Sequence, residues 1–477
     1  MSQVDLTPEQ ASEGSAVSPV DAAQLVARLR ATYAAGRTRT LGWRQQQLAA
    51  LGRMLVERED ELIEALREDL GRAPFEAWAA DLRATAREVE DLQRHLATWM
   101  KPHRQKVPWL FRPGRADLIH EPLGVVLVIA PWNYPVQLLI APLAAALAAG
   151  NVVVCKPSEV APATSAAIAR ILPLYLDPSA VAVVEGGIPE TTALLEQRWD
   201  HILYTGNGSV GRIVAAAAAK HLTPVTLELG GKSPVIVARD ANVKLAASRI
   251  AFAKFLNAGQ TCVAADHVWV HADLAEKFLA AMRSEISKRY GSNPRASKDF
   301  GRIINSRHAQ RIKDLLDGRG YEVVAGGEVD VKGKYVAPTV LRDVSRDAAV
   351  MNEEIFGPVL PVLTFEDLDE VTDAINEGDK PLALYLFTAS DHTVEQVLAT
   401  TSSGGMCVND AISHLLVPAL PFGGVGDSGY GAYHGRWGFE TFSHRRAVLR
   451  RPSWLVDAPM LNPPYPRWKA RLTRKVF

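Results

Sequence analysis

The chain has 477 residues, room for about three domains of ~150 residues each, and its 48% hydrophobic content is ordinary for a soluble globular protein. Its 53 basic and 53 acidic side chains cancel, which argues against a general binder of nucleic acid or membrane surface. Cys155, Cys262 and Cys407 stand far apart with no CxxC pair, which argues against a disulfide scaffold or zinc knuckle and fits a reducing, cytoplasmic compartment.

Residues 1–18 read as disordered, with no basic-then-apolar signal pattern. From Val20 to about Met100, apolar residues recur at helical spacing among Arg and Glu, a helical layer on a larger body. Residues 102–120 are rich in Pro and Arg and suit a hairpin or an arm. The run Val125 to Ala149 is apolar enough to raise a membrane span. Pro131, Asn133, Pro135, Gln137 and Pro142 interrupt it, and a span needs about 20 mostly apolar residues. It reads instead as strand Val125–Ala130, a turn and a buried helix.

From 123 to about 238 strands and helices alternate. The strands are Val125–Ala130, Val152–Lys156, Ala180–Val184, His201–Tyr204 and Val225–Leu229. The helices between them are Gln137–Ala149, Ala163–Leu172, Thr191–Gln197 and Ser209–His221. Unbroken Val/Ile/Leu strands separated by helices predict a parallel sheet covered on both faces, with right-handed crossovers. A second α/β alternation runs from Asn242 to about Asn409, with strands at His267–Val270, Val359–Phe365 and Ala383–Thr388. The tail after Ser443 is rich in Arg and Pro and has no apolar anchor.

Ligands in such sheets sit beyond the carboxyl ends of the strands. The turn Tyr204-Thr205-Gly206-Asn207-Gly208-Ser209-Val210-Gly211 follows a strand and opens a helix, so backbone can approach a phosphate there. It is not the G-x-G-x-x-G fingerprint, and a plain strand-to-helix turn stays open. In Lys156-Pro157-Ser158-Glu159, Lys156 suits a ribose or phosphate and Glu159 suits ribose hydroxyls, against a solvated polar loop. Glu228 lies in an apolar strand ending in a glycine pair, so it is either paired structurally or tuned for chemistry. Asn133 stands between two prolines, where a turn-forming role is the ordinary one. Cys262 follows Gly259, where a helix C-terminal glycine would fall, and so lies on a loop within reach of a ligand. A small buried hydrophobe is the ordinary fate of a free cysteine.

Taken together, these segments resemble the aldehyde dehydrogenase superfamily. The matching stretches, in order, are Pro131-Trp132-Asn133-Tyr134-Pro135, Lys156-Pro157-Ser158-Glu159, Leu227-Glu228-Leu229-Gly230-Gly231-Lys232, Gly259-Gln260-Thr261-Cys262, Glu353-Glu354-Ile355-Phe356-Gly357-Pro358-Val359 and Pro421-Phe422-Gly423-Gly424-Val425-Gly426. The likeness spans roughly residues 20 to 465. It is nearest to the class 3 group, which takes medium- and long-chain fatty and aromatic aldehydes, through Gly426-Asp427-Ser428-Gly429-Tyr430-Gly431-Ala432-Tyr433-His434-Gly435 and Phe439-Glu440-Thr441-Phe442-Ser443-His444-Arg445-Arg446.

The resemblance implies an α/β fold of two doubly wound domains with a small arm. A Rossmann-like cofactor domain would comprise residues 19–105 and 123–228, and a catalytic domain residues 229–425. Residues 106–122 and 426–477 would form the bridging and oligomerisation arm with the tail, giving a homodimer. It implies Cys262 as the nucleophile that gives a thiohemiacetal and then a thioester. Glu228 would be the base, and Asn133 Nδ2 with the Cys262 N–H the oxyanion donors. The implied cofactor is NAD, with NADP accepted. Lys156 and Glu159 would hold the adenosine ribose, and Gly206, Asn207, Gly208, Ser209, Val210 and Gly211 the phosphates. Glu354 would hold the nicotinamide ribose, with Phe356 and Trp132 beside the ring.

Asn207 departs from the serine usual in the family. Glu159 should repel a 2′-phosphate and favour NAD. No metal, nucleic acid or membrane span is implied. Arg467, Lys469, Arg471, Arg474 and Lys475 read first as a solvated or subunit-packing tail, with an anionic surface as the second reading. Cys155 and Cys407 read as core, and His414 and His434 as structural or substrate-adjacent. The alternatives are an acylating dehydrogenase, a group that usually lacks the base that Glu228 supplies, and a non-catalytic binding protein on the same scaffold.

Overall fold

In the computed structural model, which describes residues 19–454 and 463–476, the Val-rich runs become a six-stranded sheet. Its order is Gly429–Tyr430, Val225–Glu228, His201–Thr205, Val125–Ile129, Val152–Lys156 and Val181–Val183. All neighbours are parallel except the short first strand. The expectation for residues 1–18 lies outside the described residues.

The unbroken apolar runs follow from period-two geometry with a core on each face. Val125, Leu127 and Ile129 pack with Ala22, Val26 and Leu29 of helix Pro19–Ala34. Val126 and Val128 point the other way, toward helices Leu41–Glu57, Ala84–Trp99 and Gln137–Ala149. Helix Gln137–Ala149 is buried along its whole length after Gln137, which explains why its sequence has no polar face. Among the described residues, no helix is long and apolar enough to cross a membrane.

A second sheet has seven strands, ordered Glu322–Ala325, Thr339–Arg342, Val359–Phe365, His267–His271, Pro234–Val237, Ala383–Phe387 and Gly405–Val408. Only the first pair is antiparallel. The Pro/Arg-rich segment forms strands His103–Gln105 and Arg115–Pro122, and the latter pairs with Ser443–Arg450 in a three-stranded antiparallel sheet. The tail also contains helix Arg467–Val476.

One local expectation is corrected. The helix before Cys262 ends at Phe255, not at Gly259. Asn257, Ala258 and Gly259 all take left-handed φ values, +51°, +51° and +76°. A tight turn therefore separates the helix from the cysteine. Gly259 is needed there for a second reason: a Cβ would collide with the Gly357 carbonyl. The turn thus brings the Cys262 loop against the Glu353–Pro358 segment.

Candidate active site

The carboxyl ends of neighbouring parallel strands carry most of the residues singled out above. Val125–Ile129 runs into Trp132 and Asn133, Val152–Lys156 ends on Lys156, His201–Thr205 runs into Gly206, and Val225–Glu228 ends on Glu228. The chain moves from Val125–Ile129 toward Val181–Val183, then returns to the opposite flank at His201–Thr205. That reversal leaves a crevice between diverging loops.

The crevice is built to admit a phosphate. A Cβ on Gly206 would collide with the Tyr204 hydroxyl, so the turn stays bare. Asn207 caps helix Gly208–Ala219, its Oδ1 accepting from the Val210 N–H at 2.9 Å. The amide is thus engaged with its own helix, which leaves only Nδ2 for a ligand. A Cβ on Gly211 would come within 2.9 Å of Leu229 Cδ2, so this glycine packs the helix against the end of the Glu228 strand. Ser209 and Val210 complete the first helical turn, where the dipole favours an anion. Lys156 is buried, and its Nζ donates to the Pro157 carbonyl at 2.7 Å and to Glu159 Oε2 at 3.3 Å. Burial lowers the Lys156 pKa, and Glu159 opposes the shift. A bare glycine turn beside a helix start, with a buried ammonium on the next strand end, fits a dinucleotide.

Glu228 is 2% exposed, and among the described residues neither carboxyl oxygen has a hydrogen-bond partner. Burial alone drives its pKa well above the ordinary carboxylate value. Cys262 lies half-buried on its loop. Dense protein surroundings push its thiol up to about 12, and the carboxylates of Glu354 and Glu228 push the same way. The backbone N–H groups of Cys262 and Val263 act in the opposite direction. The thiol is therefore protonated at rest and needs a base to react.

Glu354 completes a set of three. Its carboxyl lies against Gly230, where a Cβ would collide with it. Burial first, then Asp266, raises it to about 8. Lys232 and Asp266 clamp this segment. Lys232 Nζ donates to Asp266 and to the Val350 and Glu353 carbonyls, the latter two at 2.9 Å, while Asp266 Oδ1 accepts from the Ile355 N–H at 2.9 Å. Phe356 takes a left-handed φ of +48°. That conformation sets its ring edge-on to Trp132, with centroids 5.3 Å apart.

Asn133 is tied to the cysteine loop. Its Nδ2 donates to the Gln260 carbonyl at 3.0 Å, two residues before Cys262. An amide carries two N–H groups, so one remains for another acceptor. Sequence reasoning missed the group that holds this turn. Arg72 is fully buried, pairs with Asp81, donates to the Asn133 carbonyl, and donates to Asn257 Oδ1 at 3.2 Å. Its guanidinium also lies 4.6 Å over the Tyr134 ring, and the Tyr134 hydroxyl meets Thr261 Oγ1 at 2.8 Å. One planar cation thus fixes the Asn133 turn and the cysteine turn together. Gln260 adds to this, donating to the Arg302 carbonyl at 3.0 Å and accepting from the Ile304 N–H at 2.9 Å. Only the Arg-Ala-Pro at a helix start in Gly71-Arg72-Ala73-Pro74 hinted at Arg72, and periodicity cannot show a lone buried cation.

The remaining candidates have structural partners. Cys155 is fully buried. Cys407 Sγ meets His414 Nδ1 at 3.2 Å, and His434 Nδ1 meets Glu88 Oε2 at 3.3 Å.

Comparison with known proteins assigns the class first. The aldehyde dehydrogenase family profile matches residues 6–448, and the chain belongs to that family. Family 3 supplies its near relatives. Aldehyde dehydrogenase family 3 member H1 of Arabidopsis thaliana is 48% identical over 457 residues, covering 95% of this chain and 94% of the relative. The dimeric NADP-preferring aldehyde dehydrogenase of Canis lupus familiaris is 45% identical over 451 residues, covering 94% and 99%. A solved structure described as the substrate-bound state of Staphylococcus aureus AldH superposes with a TM-score of 0.93 at 40% identity, covering 95% of this chain and 99% of that one. The protein is an NAD(P)-dependent oxidoreductase that converts aldehydes to acids.

Proposed function

We propose that Cys262 is the nucleophile and Glu228 the base in the oxidation of medium- or long-chain aliphatic or aromatic aldehydes to carboxylic acids. The observation that carries this reading is a fully buried carboxyl with both oxygens unpartnered, close enough to the Cys262 thiol to raise its pKa. A buried polar group without a partner is costly, so its retention points to chemistry.

The thiol proton passes to Glu228 as Cys262 Sγ bonds to the aldehyde carbon. The developing oxyanion receives the free Asn133 N–H and the Cys262 N–H; loss of one such donor usually costs roughly 10²–10³ in rate. When bound, NAD(P) supplies a hydride acceptor. Glu228 releases the thiol's proton to solvent, then takes a proton from water as that water attacks the thioester and returns it to the departing Cys262 sulfur, freeing the acid and restoring the thiol. Glu354 holds the nicotinamide ribose, Trp132 and Phe356 wall the ring, Lys156 and Glu159 take the adenosine ribose, and the Gly206–Gly211 turn takes the phosphates. Glu159 repels a 2′-phosphate, so NAD is preferred.

Residues 19–105 and 123–228 form the cofactor domain, 229–425 the catalytic domain, and 106–122 with 426–477 the arm and tail. The two mostly parallel sheets and the separate antiparallel sheet support this division in outline, although His103–Gln105 pairs into the antiparallel sheet and Gly429–Tyr430 into the six-stranded one. The arm serves a homodimer in the cytoplasm; the canine relative is named as dimeric, and the free thiols suit a reducing compartment.

A panel of aldehydes of graded chain length, tested with NAD and with NADP, checks the reading. Reduction of NAD that strengthens with chain length or an aromatic ring supports it. Cys262→Ser should abolish turnover yet leave NAD binding unchanged. Residual dehydrogenase activity in that variant would refute the role of Cys262.

A further inference from the structure

We propose that His434, oriented by Glu88, accepts the proton that Glu228 must shed in each turnover, with the Tyr433 hydroxyl as the bridge between them. The proposal rests on the reading of Glu228 as the base. That base collects the thiol proton of Cys262 and has to be ionised again before it can activate water. Glu228 is buried, and among the described residues its carboxyl has no hydrogen-bond partner, so the proton needs a way out.

One short segment leads from the base to a carboxylate on a distant helix. Gly429 pairs with Glu228 at the sheet edge, Gly431 lies against the Thr226 side chain, and the Gly435 N–H donates to Glu88 Oε1. Tyr433 and His434 lie inside this segment, both buried, with their rings stacked and centroids 4.3 Å apart. Burial raises the Tyr433 hydroxyl well above the usual phenol value, and the charges of Glu228, Cys262 and Glu88 add to the shift. The hydroxyl therefore lies within reach of the reacting groups on one side and of Glu88 on the other. His434 Nδ1 meets Glu88 Oε2 at 3.3 Å. Asp91 Oδ2 lies beside Gly435, and His414 faces His434 across the Phe422 ring. The backbone does not ask for a histidine here. His434 takes a φ of +84°, which glycine adopts freely and which costs another residue about 1–3 kcal/mol. An imidazole kept in that conformation against a buried carboxylate points to a task beyond packing.

The titratable groups continue outward. Glu88, Asp91 and His95 follow at helical spacing on one face of helix Ala84–Trp99. His95 Nδ1 meets Asp91 Oδ1 at 3.2 Å, and both line a cavity of about 520 Å³ beside Arg436 and Glu440. The His95 side chain is 43% exposed, so the row ends in solvent. Glu228 gives its proton to the Tyr433 oxygen as that hydroxyl gives its own toward His434. Tyr433 is left unchanged, Glu228 is ionised, and His434 becomes an imidazolium beside the Glu88 carboxylate. Water bridges any gap wider than a hydrogen bond. The imidazolium then releases the proton along Asp91 and His95 to solvent.

The test is the kcat of the full-length enzyme at neutral pH in dilute buffer, repeated with rising imidazole. The wild type should be indifferent to imidazole. His434→Asn tolerates a positive φ but carries no proton. It should lower kcat on the order of a hundredfold, the low end of what a positioned proton carrier supplies, and imidazole should restore much of the loss. Glu88→Gln keeps an acceptor for the Gly435 N–H and should show a smaller loss with the same rescue. An unchanged Kd for NAD shows that each variant is folded, and Glu88→Gln decides the matter if His434→Asn does not fold. Wild-type kcat in these variants, or a loss that imidazole leaves untouched, would overturn the proposal. Glu228→Gln tells this failure from that of the base. It should be slow with or without imidazole. Wild-type turnover in Glu228→Gln would remove the base and the relay with it; a slow Glu228→Gln beside unaffected His434→Asn and Glu88→Gln would remove the relay alone.

Discussion

Replacing Arg72 by lysine should slow the enzyme without touching any reacting atom. Arg72 is fully buried and serves Asp81, the Asn133 carbonyl and Asn257 Oδ1 from one planar fork. Lysine keeps a charge for Asp81 but has no fork, so the contacts to Asn133 and Asn257 are lost. Each charge-assisted hydrogen bond is worth about 1.5–3 kcal/mol, so two account for roughly 3–6 kcal/mol of local restraint. The restraint acts on the two turns that carry Asn133 and Cys262. A shift of about 1 Å in a reacting group costs on the order of 10²-fold in rate. The expected result is a kcat lower by about 10–100-fold, with the Kd for NAD unchanged because Lys156 and the Gly206 turn lie on other strand ends. Steady-state kinetics with a good aldehyde, together with NAD titration, give both numbers. Wild-type kcat/KM in the Arg72→Lys protein would refute this reasoning, as would an equal loss of NAD affinity.

Other consequences can be measured independently. Because burial and two carboxylates hold the Cys262 thiol near 12, raising the pH increases its thiolate fraction without saturation below that value. Alkylation of the free enzyme by iodoacetamide should therefore climb about tenfold per pH unit from 7 to beyond 9, and a plateau below pH 8 would contradict the assigned environment. Glu159→Gln should raise kcat/KM with NADP relative to NAD, and an unchanged ratio would remove Glu159 from the adenosine ribose. Gly259→Ala places a Cβ against the Gly357 carbonyl at a φ of +76°. It should cost on the order of 1–3 kcal/mol from strain and lower kcat; a fully active, equally stable variant would show that the turn tolerates a side chain.

The two sheets were legible because each buried parallel strand is a continuous apolar run, as in Val125-Val126-Leu127-Val128. Glu228 stood out for the complementary reason, as a charge inside such a run, and the structure gives it no partner. The cysteine turn was only half legible. Gly259 was visible, but left-handed Asn257 is held by Glu76, Arg72 and the Asn133 carbonyl, all far away in sequence. The role of Arg72 was not legible beyond the helix start beside it, since its partners Asp81, Asn133 and Asn257 meet only in three dimensions. The Arg467–Val476 helix escaped notice because ten residues, half of them basic, carry too few apolar positions to show a period.

The central claim is that one buried carboxyl removes the proton from the water that frees the acid. Glu228→Gln is its most direct test. Mixing the variant with NAD and aldehyde at high pH, where hydroxide can take the thiol proton in place of Glu228, should release about one equivalent of NADH and then stall, while mass analysis finds the acyl group on the Cys262 peptide. Steady turnover at the wild-type rate with no acyl-Cys262 would contradict the account.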